Sequence, residues 1–149
     1  MTKQFHGITS LGLVGIATIL AAIALFQSWW VLGLGYLALA GLAGLGVIYA
    51  YCAKCPCKAH CGHVLPGKAA MAFNRKPGPY TPTELGILVL ALLVLIGLPQ
   101  FWLWPYTGLF VVYWLLNAIA MVQIRGVVCR TCNNVYCPFK IRNYSPPSP

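Results

Sequence analysis

Hydrophobic residues run through this chain in two long stretches that charged residues scarcely interrupt. No charged residue lies at positions 4–53, and at positions 77–124 the one charged residue is Glu84. A helix needs about 20 apolar residues to cross the hydrocarbon core of a bilayer, so each stretch is long enough for two crossings. The pattern predicts an all-α integral membrane protein with four transmembrane helices, placed near 8–26, 31–49, 85–103 and 106–124.

Two short segments, 27–30 and 99–106, separate the helices of each pair and are rich in tryptophan and helix breakers. Tryptophan and tyrosine settle at the level of the lipid headgroups, so both segments are predicted to be turns at one membrane surface. The chain then forms two hairpins. Small residues are predicted to let the helices pack closely, among them Ala17 with Ala21 and Ala40 with Gly44.

The charge distribution indicates the orientation in the membrane. Only 7% of the residues are charged, with ten Lys and Arg, one acid and a net charge of +9. A soluble domain has about a quarter of its residues charged, so a soluble protein is excluded. All ten bases lie in the N-terminus, the central loop and the tail, and the positive-inside rule places these segments in the cytoplasm. The excess of basic residues is therefore interpreted as a sign of the orientation of the chain in a cytoplasmic-type membrane, and it does not indicate nucleic-acid binding.

Four segments follow from these boundaries. They are transmembrane hairpin 1 at 1–51, a Cys-rich basic cytoplasmic loop at 52–80, transmembrane hairpin 2 at 81–124 and a Cys-rich cytoplasmic tail with a Pro-rich end at 125–149. Within the loop, 68–76 is interpreted either as a short helix in the membrane surface or as a solvated loop attracted to anionic lipid.

The single acid, Glu84, is predicted to cap a helix. It stands three residues after Thr81, and Pro82 lies between them at the first helical position. A threonine and a glutamate at this spacing satisfy each other's backbone N–H groups at a helix start. No ionisable residue lies deep in a predicted helix, so a proton relay or a charged transport path is not indicated.

Seven cysteines distinguish this chain from a simple four-helix membrane protein. All of them follow the second or the fourth predicted helix: Cys52, Cys55, Cys57, Cys61, Cys129, Cys132 and Cys137. The residues around Cys52–Cys55 align with those around Cys129–Cys132, which suggests a faintly duplicated hairpin unit. Two such CxxC pairs can supply four thiolates to one tetrahedral ion. They would join the second helix to the fourth.

Three further thiols remain for a second site. Cys57, Cys61 and Cys137 would need one more ligand, and either His60 or His63 can complete a Cys₃His set. The alternatives are palmitoylation of cysteines at the membrane surface and, if the topology is reversed, disulfides. An odd number of cysteines and a reducing cytoplasm argue against complete disulfide pairing.

The predicted cofactor is zinc or an iron–sulfur cluster, in one centre or two. The cysteine run at 52–61 is one residue shorter than the run of bacterial ferredoxins, which changes the loop that wraps a cluster. Zinc makes fewer demands on loop geometry and accepts histidine, so it is slightly favoured. No histidine lies within a predicted helix, so the helices offer no haem ligand.

Nucleotide binding is not predicted. Residues 62–68 match most of a phosphate-binding loop, but Ala69 stands where a hydroxyl would bind magnesium. The sequence also contains no Asp, which removes paired-carboxylate catalysis. Nothing in the chain forms a clear catalytic constellation.

The sequence thus predicts a small metal-binding subunit of a larger membrane complex, with an anchoring, structural or electron-transfer role. Its expected partners are membrane lipid and other membrane or peripheral subunits. Whether it is an enzyme stays open, with a non-catalytic or electron-transfer subunit favoured. The alternatives are a soft-metal-ion transporter, although no thiol lies on a transmembrane path, and a thiol-redox membrane protein that uses one CxxC as a dithiol couple.

Overall fold

The computed structural model describes residues 3–130, 132 and 134–137, and every regular element within those ranges is helical. The helices are α1 (Lys3–Ser28), α2 (Trp30–Val47), α3 (Val64–Ala72), α4 (Pro82–Leu92), α5 (Gln100–Leu103) and α6 (Thr107–Gln123). Each of α2, α4 and α6 continues into a π-helical turn, at Ile48–Cys52, Leu93–Gly97 and Ile124–Val128 respectively. The predicted Pro-rich end of the tail lies outside the described residues.

Four continuous helical stretches are long and apolar enough to cross a membrane: Lys3–Ser28, Trp30–Cys52, Pro82–Leu103 and Thr107–Val128. Over the described residues, the prediction of an all-α protein with four helices long and apolar enough to cross a membrane is confirmed. Pro99 does not interrupt the third stretch, because its φ of −71° suits the start of the short helix α5. The loop 68–76 is partly helical, since α3 reaches Ala72 before the chain turns at Asn74 with a φ of 43°.

Helix α1 lies between α2 and α6, and α2 also packs against α4. Small side chains line the buried face of α1, at Gly7, Ser10, Ala17, Ala21 and Ala24. Helices in lipid gain little hydrophobic energy by associating, so small residues favour packing by letting backbones approach closely. The predicted contact role of Ala17 and Ala21 is confirmed. The same prediction is wrong for Gly44, where an added Cβ would meet nothing within 4 Å.

One backbone carbonyl joins α2, α6 and the turn after α4 inside the bundle. Pro99 has no N–H, so the carbonyl of Leu95, four residues earlier, lacks its usual α-helical donor. The hydroxyls of Tyr36 and Tyr113 donate to this oxygen at 3.0 and 2.9 Å. Both tyrosines are buried. The proline therefore creates an acceptor at which three parts of the bundle meet.

At the other end of α4, Glu84 is a buried ionic centre. Its Oε2 accepts from Lys54 Nζ at 2.8 Å and from the backbone N–H of Thr81 at 2.7 Å. Its Oε1 accepts from Arg75 Nη2 at 2.8 Å. Thr81 Oγ1 in turn accepts from the Glu84 N–H, so the predicted cap is confirmed. The two ion pairs were not predicted, and they tie the segments that follow α2 and α3 to the start of α4.

Glu84→Gln separates the ionic role of this residue from its capping role, because glutamine keeps the cap. We expect it to lower the free energy of unfolding by about 3 kcal/mol, the lower end of the range for a broken buried ion pair, since the Arg75 side chain remains 27% exposed. Thr81→Ala removes the threonine side-chain cap alone and should cost about 1 kcal/mol. Unfolding in detergent, followed by circular dichroism, measures both. An equal or larger loss in Thr81→Ala would show that the cap matters more than the ion pairs.

Candidate metal centre

Each CxxC pair forms a tight turn at the end of a membrane-spanning stretch. The Cys55 N–H donates to the Cys52 carbonyl at 3.1 Å, and the Cys132 N–H donates to the Cys129 carbonyl at 3.2 Å. A π-helical turn leads into each of them. The two segments thus share a local structure, offset by one residue, because Cys52 is the last residue of its π-helical turn and Cys129 follows its own. Single π-helical turns are frequent at functional sites.

Three thiols from these two segments converge. The sulfur atoms of Cys55, Cys57 and Cys132 lie within 4.8 Å of one another, and all three residues are partly buried. We call this group the thiol triad. Zinc–sulfur bonds of about 2.3 Å place the sulfurs of a tetrahedral site about 3.8 Å apart. The thiol triad can therefore hold a metal ion after a small contraction, and it would join the loop that follows α2 to the tail that follows α6.

The structure groups the thiols differently from the sequence-based assignment. Cys55 and Cys132 lie together as expected, but Cys57 is their third neighbour, and Cys52 and Cys129 are outside the thiol triad. Cys137 instead places its sulfur 2.8 Å from the hydroxyl of Tyr51.

The two candidate histidines differ in their surroundings. His63 Nε2 lies 3.2 Å from Ser10 Oγ on α1, and burial lowers the pKa of its imidazole. The side chain of His63 therefore already has a polar partner. His60 is exposed, and its backbone carbonyl accepts from Lys3 Nζ at 3.2 Å. Neither histidine belongs to the thiol triad.

The thiols have unequal acidities. The hydrogen bond between Cys55 and Cys132 is the largest cause of two opposite shifts: it lowers the pKa of Cys132 and raises the pKa of Cys55. Burial raises the pKa of Cys129 to about 11 and also raises that of Cys61. The thiolate is the form of cysteine that binds metals and attacks disulfides.

The start of α1 holds the cysteine-bearing loop in place. Gly7 lies so close to the loop that a Cβ there would be 2.1 Å from the carbonyl oxygen of Gly62. Gly62 is confined less tightly, because its own Cβ would lie 2.9 Å from Cγ1 of Val128 at the end of the fourth stretch. Sequence reasoning missed both glycines, since their partners are distant along the chain.

Sequence reasoning also missed Asn134. This residue is buried, and its Nδ2 donates to the sulfur of Cys55 at 3.4 Å. Its position between Cys132 and Cys137 is the one signal in the sequence that could have drawn attention to it.

No protein-family model matches this chain, and no curated protein or solved structure matches it. The functional argument therefore rests on the arrangement of these side chains.

Gly7→Ala should displace the loop from α1. The added methyl group would clash with backbone atoms of the loop, and a side-chain rotation cannot relieve that clash. We expect a destabilisation of about 1–3 kcal/mol, the usual cost of overpacking. Gly12→Ala is the matched control in the same helix, since an added Cβ there meets nothing within 4 Å. Alanine favours a helix over glycine by about 0.5–1 kcal/mol, so the control should be neutral or slightly stabilised. Thermal unfolding in detergent compares the two, and equal midpoints would contradict the close contact.

Proposed function

We propose that this protein is a small metal-binding integral membrane subunit of a larger membrane complex, and that the thiol triad holds its metal ion. The observation that carries the proposal is the convergence of Cys55, Cys57 and Cys132 from two segments that are distant in the sequence. The three sulfurs face one position, which is the arrangement that a soft metal ion requires. On binding, the ion would replace the thiol protons and offset the repulsion among the resulting thiolates.

The donor set narrows the choice of metal. Three sulfur ligands suit zinc, an iron–sulfur cluster or another soft ion, and do not suit magnesium or calcium. Zinc is slightly favoured, with its fourth ligand drawn from the remaining histidines and cysteines other than Cys137, whose sulfur lies against Tyr51. The bound ion would then clamp the ends of the two hairpins in a structural role. An iron–sulfur centre would give the same site an electron-transfer role within the complex.

The basic residues support a cytoplasmic position for this site. Lys3, Lys54, Lys58 and Arg130 all lie in or beside the segments that carry the thiol triad or the loop docked on α1. Positive charge is retained on the cytoplasmic side of such membranes. A reducing cytoplasm would keep the thiols free to bind a metal.

The metal content of the purified protein tests the proposal. Protein isolated in mild detergent without oxygen should contain a metal ion that is lost in Cys57→Ser, because one ligand of the thiol triad is removed. Cys137→Ser is the comparator, since its sulfur lies against Tyr51 and outside the thiol triad. It should retain the ion of the thiol triad.

Metal analysis and visible absorption separate the two roles. Zinc in a colourless protein indicates the structural role, and iron with visible absorption indicates electron transfer. Wild-type protein without metal, or full metal content in Cys57→Ser, would contradict the proposal. Co-purification of further chains with the tagged protein tests its place in a complex.

A thiol-redox role is the second candidate, and the short separation of the Cys55 and Cys132 sulfurs, which lie within 4.8 Å of each other, favours it. Oxidation of this pair would form one S–S bond and release two protons and two electrons, with a membrane quinone or hydrogen peroxide as the acceptor. The bond would link the two hairpins covalently.

A cleavable chain tests this second role. We expect a protease site inserted between Lys76 and Pro77 to yield two fragments that stay linked on a non-reducing gel after peroxide treatment. The Cys132→Ser variant should release them, because it lacks the tail thiol of the pair. Wild-type fragments that separate after oxidation would contradict the redox role.

A further inference from the structure

We propose that Asn134 is a positioning residue for the candidate metal centre. Its side-chain amide holds the sulfur of Cys55 in place and supplies the N–H that a metal-bound thiolate at this position accepts. The inference rests on the proposed function, because it assigns a role around the same thiol triad.

Asn134 is buried, and both polar atoms of its side chain have hydrogen-bond partners. The residue is 1% exposed. Its Nδ2 lies 3.4 Å from Cys55 Sγ and 3.2 Å from the hydroxyl of Tyr80, and its Oδ1 accepts from the backbone N–H of Tyr136 at 2.9 Å. A buried amide whose groups are matched in this way holds one orientation, since any other leaves polar atoms without partners.

The contact with Tyr136 decides which end of the amide faces the thiol. A backbone N–H can only donate, so it must meet the oxygen of Asn134. The NH₂ group is then turned toward Cys55 and Tyr80. The short turn that Asn134 forms with Tyr136 thus aims a donor at the sulfur.

Tyr80 holds the same NH₂ group of Asn134 by a second contact. Its hydroxyl donates to the Tyr51 carbonyl at 3.3 Å, which leaves a lone pair to accept from Asn134. The rings of Tyr80 and Tyr51 stack with centroids 4.7 Å apart and an interplanar angle of 14°. The end of the second membrane-spanning stretch, the segment before α4 and the tail therefore meet beside Cys55.

An N–H donor at a ligating sulfur has two consequences. It fixes the direction of the sulfur, and it lowers the energy of the sulfur lone pairs, so that charge transfer from sulfur to metal requires more energy. Loss of such outer partners reduces metal affinity by about 10–100-fold.

Cobalt(II) binding to the full-length protein in detergent tests the proposal, because cobalt reports thiolate ligation by its charge-transfer absorption. Asn134→Leu removes the donor at similar size. We expect its cobalt affinity to fall about 10–100-fold and its charge-transfer band to move to lower energy. Asn117→Leu is the matched control, since Asn117 donates to the Tyr113 carbonyl within α6. It should retain the wild-type affinity and band.

Asn134→Asp separates the local turn from the hydrogen bond to sulfur. Aspartate keeps an oxygen for the Tyr136 N–H but presents no donor to Cys55, so it should also lose affinity. If Asn134→Leu cannot be recovered in folded form, Asn134→Asp decides. Wild-type affinity and an unmoved band in the Asn134 variants overturn this inference alone. Wild-type protein that takes up no cobalt overturns the proposed function, and this inference with it.

Discussion

The cysteine-bearing end of the protein depends on the ion pairs that the buried carboxylate of Glu84 forms with Lys54 and Arg75. It is the single acid in the chain, so the cations of this end have no competing carboxylate. Lys54, which pairs with Glu84, directly precedes Cys55 in the chain. The ion pair therefore fixes the loop that supplies two members of the thiol triad relative to the start of α4. The same carboxylate begins α4 and holds Arg75.

The opposite end of the bundle is organised by a backbone carbonyl that lacks its usual helical hydrogen-bond donor. Pro99 leaves the Leu95 carbonyl without its α-helical donor, and the hydroxyls of buried tyrosines from α2 and α6 donate to it instead. In hydrocarbon an unsatisfied backbone group costs several kcal/mol, so this arrangement restricts how the hairpins can pack. Small residues on α1 then allow close contact with both neighbours. The relative position of the hairpins at one end sets which thiols can meet at the other.

The thiol triad depends on this packing. Two of its sulfurs come from the loop that follows α2 and one from the tail that follows α6, so the thiol triad exists only when these two segments lie together. Gly7 and Gly62 seat the loop against α1 by close backbone contact, and Asn134 approaches Cys55 from the tail. A metal ion bound here would reinforce the association of the loop that follows α2 with the tail that follows α6.

The sequence by itself determined the four helices long and apolar enough to cross a membrane, because uninterrupted apolar stretches leave a chain few other structures in lipid. It also determined the cap at Glu84 and the small-residue face around Ala17, which depend on residues close together along one helix. Only the tertiary structure decided that Cys57 joins Cys55 and Cys132, that Glu84 binds two cations, and that Asn134 meets a thiol. Those contacts link residues far apart in the sequence. Their pairing depends on how the helices rotate and pack against one another, and the spacing of residues along the sequence does not determine this.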